Sequence, residues 1–252
     1  MQIIAISNLK GGCAKTTTAV NLAAGLAQEG RKVLLIDLDP QGNASEWLGV
    51  GQPALGSFEL FTTDHALDTF IHPSSVPGVS IIAGSGALSS LDRVLTKVDA
   101  PEKQLKKRLS ALRKQQWDEV ILDTPPTLSL LTSNALIAAH QLLIPVTTQV
   151  LSLSGVAQLM QTFDAIREDL NPKLELLGLV ASRVNLRTLH SQDIIQALSD
   201  SFGEKLLKTY IRENIRLSEA PSFKQSIFQY SPKSGACDDF RSLAREVLTL
   251  TR

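Results

Sequence analysis

The chain has 252 residues, with 25 Lys+Arg against 25 Asp+Glu, 43% hydrophobic residues, 5% aromatics and two cysteines. A chain of this length builds a core without disulfides or metal, and its content of Leu, Ile and Val excludes a disordered polymer. The charge balance argues against a protein that coats polyanions wholesale. Cys13 and Cys237 make neither a zinc ligand set nor a disulfide framework, so a reducing, cytoplasmic compartment is expected. No apolar run approaches the ~20 residues that span a bilayer, and residues 1–6 lack the basic leader and cleavage site of a signal peptide.

The apolar run Ile3–Ile6, ending at Ser7-Asn8, predicts a buried parallel strand. Thr16–Gln28 carries Val20, Leu22, Ala23, Leu26 and Ala27 at helical spacing and is closed by Gly30. Val33–Ile36 is a second buried strand running into Asp37-Leu38-Asp39-Pro40, and a βαβ opening of this kind favours a parallel sheet with crossover helices. From Gly49 to Ser90 the composition predicts loops, one or two short helices and a strand over Val79–Ile82. Lys103–Lys114 is expected to be a basic amphipathic helix, with Leu105, Leu109 and Leu112 on the core face and the charges solvated.

Glu119–Leu122 and Leu142–Val146 are predicted strands, and Leu153–Leu170 a long helix. Leu176–Ala181 is predicted as strand, Ser191–Phe202 as helix, Leu206–Ile211 as strand and Asp239–Leu248 as a closing helix. No linker or repeat divides the chain. Residues 1–252 are therefore expected to form one α/β domain, a doubly wound, mostly parallel sheet with helices on both faces.

The most informative stretch is Lys10-Gly11-Gly12-Cys13-Ala14-Lys15-Thr16-Thr17, set between a strand and a helix. Consecutive glycines let backbone N–H groups converge on a phosphate, and the helix adds its positive dipole end. Lys15 is placed to reach phosphate oxygens and the Thr16 hydroxyl to ligate Mg²⁺. The usual phosphate-loop pattern is not met, because Leu9 and Ala14 stand at its two glycines and an extra lysine, Lys10, precedes Gly11. Ala14 calls for a backbone angle that alanine can adopt, and Cys13 reads as a small packing residue, with a redox-sensitive thiolate beside the loop's N–H groups as the alternative. Two further acidic stretches end buried strands, where ligands bind in open parallel sheets: Asp37 and Asp39 after the second, and Asp123-Thr124-Pro125-Pro126 after the third central one. Carboxylates there suit a magnesium shell and an attacking water. The four histidines are scattered and suggest no competing catalytic set.

Lys-Gly-Gly-x-x-Lys-Thr-Thr resembles the deviant Walker A loop of the ParA/MinD ATPase family. The segment Asn214-Ile215-Arg216-Leu217-Ser218-Glu219-Ala220-Pro221-Ser222 and the later Tyr230-Ser231-Pro232-Lys233-Ser234 are similar to motifs of its chromosomal ParA/Soj members. The resemblance implies a P-loop NTPase fold and ATP with Mg²⁺ as cofactors. It implies nucleotide contacts from Lys10 to Thr17 and from Asn214, and metal contacts from Thr16, Asp37 and Asp123. Lys10, Lys15 and Asp39 would be the catalytic residues, with Lys10 reaching across a homodimer formed in ATP and Asp39 positioning water. It further implies nonspecific DNA binding, a ParB-like or cargo-adaptor protein that stimulates weak hydrolysis, and a cytoplasmic, nucleoid-associated location.

The cargo classes are a chromosome, a plasmid or a protein organelle such as a carboxysome. Residues 173–252 hold twelve Lys+Arg against nine Asp+Glu. By composition alone Arg183, Arg187, Arg212, Arg216, Lys224 and Lys233 are ordinary solvated charges; the resemblance makes them candidates for a phosphate-backbone patch. The chain stops four residues after Leu248, which leaves no room for the membrane-binding tail of a MinD-like regulator, and no membrane partner is expected. A metabolic synthetase that phosphorylates a small carboxylic acid is the alternative from another class. An electron-transferring iron protein would need cluster cysteines in places where this chain has none.

Overall fold

The computed structural model describes residues 1–112, 116–148 and 153–251, apart from the side chains of residues 153 and 154. Eight strands form one sheet in the order β3-β4-β2-β5-β1-β6-β7-β8. They are β1 (Gln2–Ile6), β2 (Val33–Asp37), β3 (His72–Pro73), β4 (Val79–Ile82), β5 (Glu119–Asp123), β6 (Gln141–Thr147), β7 (Glu175–Val184) and β8 (Ile211–Arg212). Among the described residues only the short β3–β4 pair is antiparallel. The helices, in chain order, are α1 (Lys15–Gln28), α2 (Asn43–Trp47), α3 (Ser57–Thr62), α4 (Leu91–Val94), α5 (Gln104–Leu109) and α6 (Leu130–Ala138). There follow α7 (Leu153–Asp169), α8 (Leu189–Phe202), α9 (Arg216–Glu219), α10 (Ile227–Tyr230) and α11 (Gly235–Leu250).

The central strands are apolar along their whole length because both faces are covered, as expected of a parallel sheet wound on both sides. Alternate residues of β1 divide between the two layers. Ile3 and Ala5 join the side chains of α5, α6 and α7, while Ile4 and Ile6 join those of α1 and α11. The second layer is closed by a near approach of α1 to α11: a Cβ at Gly25 would lie 3.0 Å from the Ala244 side chain and 3.2 Å from the Phe240 carbonyl. Strands are added to opposite sides of β1, which has β5 on one side and β6 on the other, all three parallel. That switch point opens a crevice at the strands' C-terminal ends.

Two predicted elements are corrected. Leu206–Ile211 is not a continuous strand: Leu206 makes an isolated bridge to Leu179, and the ladder resumes only as Ile211–Arg212. The basic helix predicted over Lys103–Lys114 is helical from Gln104 to Leu109, preceded by a 3-10 turn over Pro101–Lys103, and residues 113–115 lie outside the described chain. Its core face is as expected, with Leu105, Leu109 and Leu112 buried. α6 is an element that the sequence does not announce. Most of its residues are apolar and buried on every side, so no helical period marks it.

At the opposite end of the sheet from the crevice, Glu119 is buried with Oε2 lacking a hydrogen-bond partner among the described residues. Burial pushes its carboxyl up to about 7, offset in part by Arg31, whose Nε lies 3.9 Å from Oε1. A carboxyl raised in the folded state favours the fold while protonated, so stability falls as pH rises from the ordinary Glu range through about 7. Glu119→Gln is therefore expected to melt higher than wild type at pH 8. The difference should shrink to nothing near pH 4.5, as followed by thermal denaturation across pH.

Candidate functional site

The crevice is a cleft of about 750 Å³ floored by Gly11, Gly12 and Ala14–Thr18, with Asp39 and Gln41 on one side and Arg212–Ile215 on another. Its floor is built by local hydrogen bonds. Asn8 donates from Nδ2 to the Pro145 carbonyl of β6 at 2.8 Å and accepts from the Lys10 N–H at 3.1 Å, which fixes where the loop leaves the sheet. The Cys13 thiol donates to the Lys10 carbonyl at 2.9 Å and is buried, and burial pushes its pKa up. Cys13 is thus a loop-closing packing residue rather than a thiolate. Gly12 has φ +75°, and a Cβ at Gly11 or Gly12 would meet nothing within 4 Å, so the loop is an open concavity. Ala14 occupies the left-handed region at φ 64° and ψ 28°, immediately before α1. No side chain caps that helix and no acidic residue sits in its first turn, so its N–H groups and dipole face the cleft.

Lys15 is 7% exposed, and its Nζ lies 3.5 Å from the Lys10 carbonyl. The Thr16 hydroxyl donates to Asp123 Oδ2 at 2.8 Å. Asp123 Oδ1 is buried without a hydrogen-bond partner among the described residues. Burial and the neighbouring Asp37 hold the Asp123 carboxyl well above the usual range. Asp37 is pushed up to about 6 by burial, against hydrogen bonds that favour its charged form. Its Oδ2 accepts from the Ser45 N–H at 2.9 Å and hydroxyl at 2.7 Å, and its Oδ1 accepts from the Asp39 N–H at 3.1 Å. Asp37 therefore builds the turn into α2, and Asp123 is the carboxylate left open beside Thr16. Asp39 is 7% exposed, accepts from the Gln41 N–H at 3.0 Å and lines the cleft.

The cleft's far wall comes from residues 211–221. Asn214 Oδ1 accepts from the Arg216 N–H at 3.0 Å, forming the turn that opens α9. This wall is tied to the phosphate loop's own helix and to α2. The Ile227 N–H donates to Asn21 Oδ1 at 2.8 Å, and Trp47 Nε1 donates to the Gln225 carbonyl at 2.8 Å. Sequence reasoning missed Asn21, Ser45 and Trp47. The available signal was Asn21, a polar residue at a core-facing position of α1.

Of the basic candidates, Arg183 and Arg212 line the cleft rim, at the ends of β7 and β8. Arg183 is held at φ 55° with its carbonyl accepting from the Thr148 hydroxyl at 3.0 Å. Arg212 is not a free surface charge: its guanidinium is bidentate on Asp239, at 2.6 Å from Oδ1 at the shortest, and donates to the Gly235 carbonyl at 2.9 Å. Arg216 pairs with Glu219 at 2.8 Å, and Glu219 also accepts from the Tyr230 hydroxyl at 2.9 Å. Arg187, Lys224 and Lys233 are exposed, and Lys224 lies against Gly49 and Ser75.

Residues 1–176 match the AAA domain family. The chromosome-partitioning ATPase Soj of Thermus thermophilus is 42% identical over 245 residues, which cover 97% of this chain and 94% of that protein. The chain belongs to the Soj/ParA family of partitioning ATPases. The sporulation initiation inhibitor Soj of Bacillus subtilis is 38% identical over 98% of both chains. Among solved structures, cobyrinic acid a,c-diamide synthase from Mycobacterium smegmatis with bound ATP analog and magnesium superposes with a TM-score of 0.90. It is 29% identical, over 100% of this chain and 96% of its own.

Ala14 is the loop's least comfortable position, since a left-handed alanine costs about 1 kcal/mol or more that glycine avoids. Ala14→Gly is expected to raise the melting temperature by roughly 2–4 °C. Thermal denaturation of the two nucleotide-free proteins side by side provides the test.

Proposed function

We propose that this Soj/ParA protein is a nucleotide-gated positioning ATPase that binds DNA nonspecifically when ATP drives it into a homodimer. One observation carries the reading: a single cleft joins the phosphate loop to Arg183 of β7 and to the segment that bears Arg212 and the Asn214–Ser222 motif. Backbone N–H groups of Gly11–Thr17 and the Lys15 ammonium hold the phosphates, and the far wall around Asn214 receives the base. The site fits Mg²⁺ chemically, because Thr16 and the orphaned Asp123 Oδ1 supply oxygen donors with Asp37 behind them. Bound there, the cation supplies charge neutralisation for the phosphates and relieves the carboxylate pair. Asp39 orients the attacking water, and Lys10 of each subunit stabilises charge on the other's nucleotide.

DNA is held by Arg183, Arg187, Arg216, Lys224 and Lys233, with Arg212 held in a fixed orientation by Asp239. A ParB-like or cargo-adaptor protein accelerates hydrolysis and so releases the dimer from the nucleoid in the cytoplasm. The segregated cargo is a chromosome, plasmid or protein organelle. ATP acts here through its differential affinity for the dimer, which couples nucleotide to DNA.

The fold shared with the cobyrinic acid a,c-diamide synthase favours a second reading, a synthetase that activates a small carboxylic acid. DNA binding measured with ATP, ADP or no nucleotide across a salt series separates the two. We expect ATP-dependent binding that weakens steeply with salt; ATP turnover that requires a small carboxylic acid and ignores DNA would favour the synthetase. Lys15→Ala should weaken ATP binding on the order of 10- to 100-fold and abolish ATP-dependent DNA binding. Wild-type DNA affinity in that variant would sink the scheme.

A further inference from the structure

The densest positive charge in the chain lies outside the surface just described. Residues 93–114 carry eight Lys+Arg against two Asp+Glu, whereas residues 173–252 carry twelve against nine. The described part of this run folds as α4, two 3-10 turns and α5. α4 and α5 both pack on α6, with Leu91, Leu95, Leu105 and Leu109 buried beneath them. Arg93, Lys97, Lys103, Lys106 and Lys107 are exposed, and none joins an ion pair among the described residues. Arg108 differs: it donates to the His65 carbonyl and lies over the Phe70 ring, so it anchors α5. Five like charges kept unneutralised on adjoining short elements create a positive potential that a polyanion relieves.

We propose that the α4–α5 surface is a second binding surface for the phosphate backbone of duplex DNA. Leu105 and Leu109 belong to the layer that covers Ile3 and Ala5, while Arg212 is fixed to α11, whose Phe240 and Leu243 belong to the layer over Ile4 and Ile6. The α4–α5 surface thus lies on the other face of the sheet from the part of the first surface that α9, α10 and α11 carry, with Arg216, Lys224 and Lys233, and one protein can hold two duplex segments. The chemistry favours duplex DNA over an acidic polypeptide or a single strand. Residues 93–114 include no aromatic residue to anchor a peptide or stack a base, and the leucines between the lysines are buried. The inference deepens the DNA-binding reading above and rests on it.

The test uses the full chain with ATP and Mg²⁺, a duplex immobilised on beads, a second labelled duplex in solution, and a salt series. Lys103→Gln/Lys106→Gln/Lys107→Gln should bind ATP and melt as wild type does. Its log–log salt dependence of DNA binding should become shallower by about two to three, at roughly 0.9 for each phosphate that is no longer neutralised. Capture of the second duplex should fall at least about tenfold, and the Lys→Arg version of the triple variant should restore it. An unchanged salt slope with unchanged capture overturns this inference alone, whereas a wild-type protein that binds no DNA overturns the reading it rests on. If poly-glutamate needs these lysines and duplex DNA does not, the surface belongs to an acidic protein and the inference is also overturned.

Discussion

Asp37 and Asp123 are register partners at the C-terminal ends of neighbouring parallel strands, and both are fully buried. Two carboxylates so placed repel each other and lose hydration, and burial raises both. Donors around them offset this in part. Ser45 gives two hydrogen bonds to Asp37 from the start of α2, Thr16 gives one to Asp123 from α1, and the Lys15 ammonium is buried in the same cleft. The strand order makes this possible: inserting β5 between β2 and β1 sets Asp123 beside Asp37 and brings it within reach of the loop that leaves β1. The backbone accommodates the pair too, since a Cβ at Gly84 would lie 2.9 Å from the Asp37 carboxyl carbon. Such an acidic pair, with one oxygen left over, is chemically matched to a divalent cation and to the phosphates that a cation carries.

The same constraint explains how the cleft's distant walls act together. The turn that Asp37 organises leads directly into α2, and α2 ends in Trp47, whose indole N–H holds the Gln225 carbonyl. α1, which begins at the phosphate loop, reaches the same segment through Asn21 and Ile227. Residues 214–230 are therefore tied both to the helix that faces the phosphates and to the turn beside the carboxylates. Arg216, Glu219 and Tyr230 extend this network to the surface. The phosphate loop is thus joined to the basic rim by hydrogen bonds between packed elements.

The central strands, α1, α7 and α11 were legible in the sequence because each is an uninterrupted apolar run or a long periodic one. So were the loop and its acidic answers, since their chemistry is local: glycines, lysines and a hydroxyl within eight residues, and acids at strand ends. The misses have two causes, the first being that α6, apolar and buried on nearly every side, shows no helical period. α2, α9 and α10 are too short to be stable alone and exist through contacts such as Trp47 to Gln225 and Ile227 to Asn21. β8 is defined by the edge of β7, and its Arg212 is oriented by an aspartate 27 residues away. Nothing local foretold that Asp37 commits both oxygens to the backbone and hydroxyl of its own turn, or that Cys13 closes the loop.

The balance of 25 positive against 25 negative charges, taken as a sum, speaks against a polyanion partner. In three dimensions the charges are sorted by burial and by face, and their sum loses its meaning. The acids of the site are interior, where the chain itself and a bound cation answer them. The exposed basic residues fall on opposite sides of a sheet covered by helices, with successive layers about 10 Å apart. Across solvent, that separation exceeds the Debye length of about 8 Å at physiological ionic strength, so mobile ions weaken the repulsion between the two surfaces. Each presents its own local potential to a neighbouring polyanion. An overall charge of zero is therefore compatible with the DNA binding proposed above, because the potential that a polyanion meets is set locally.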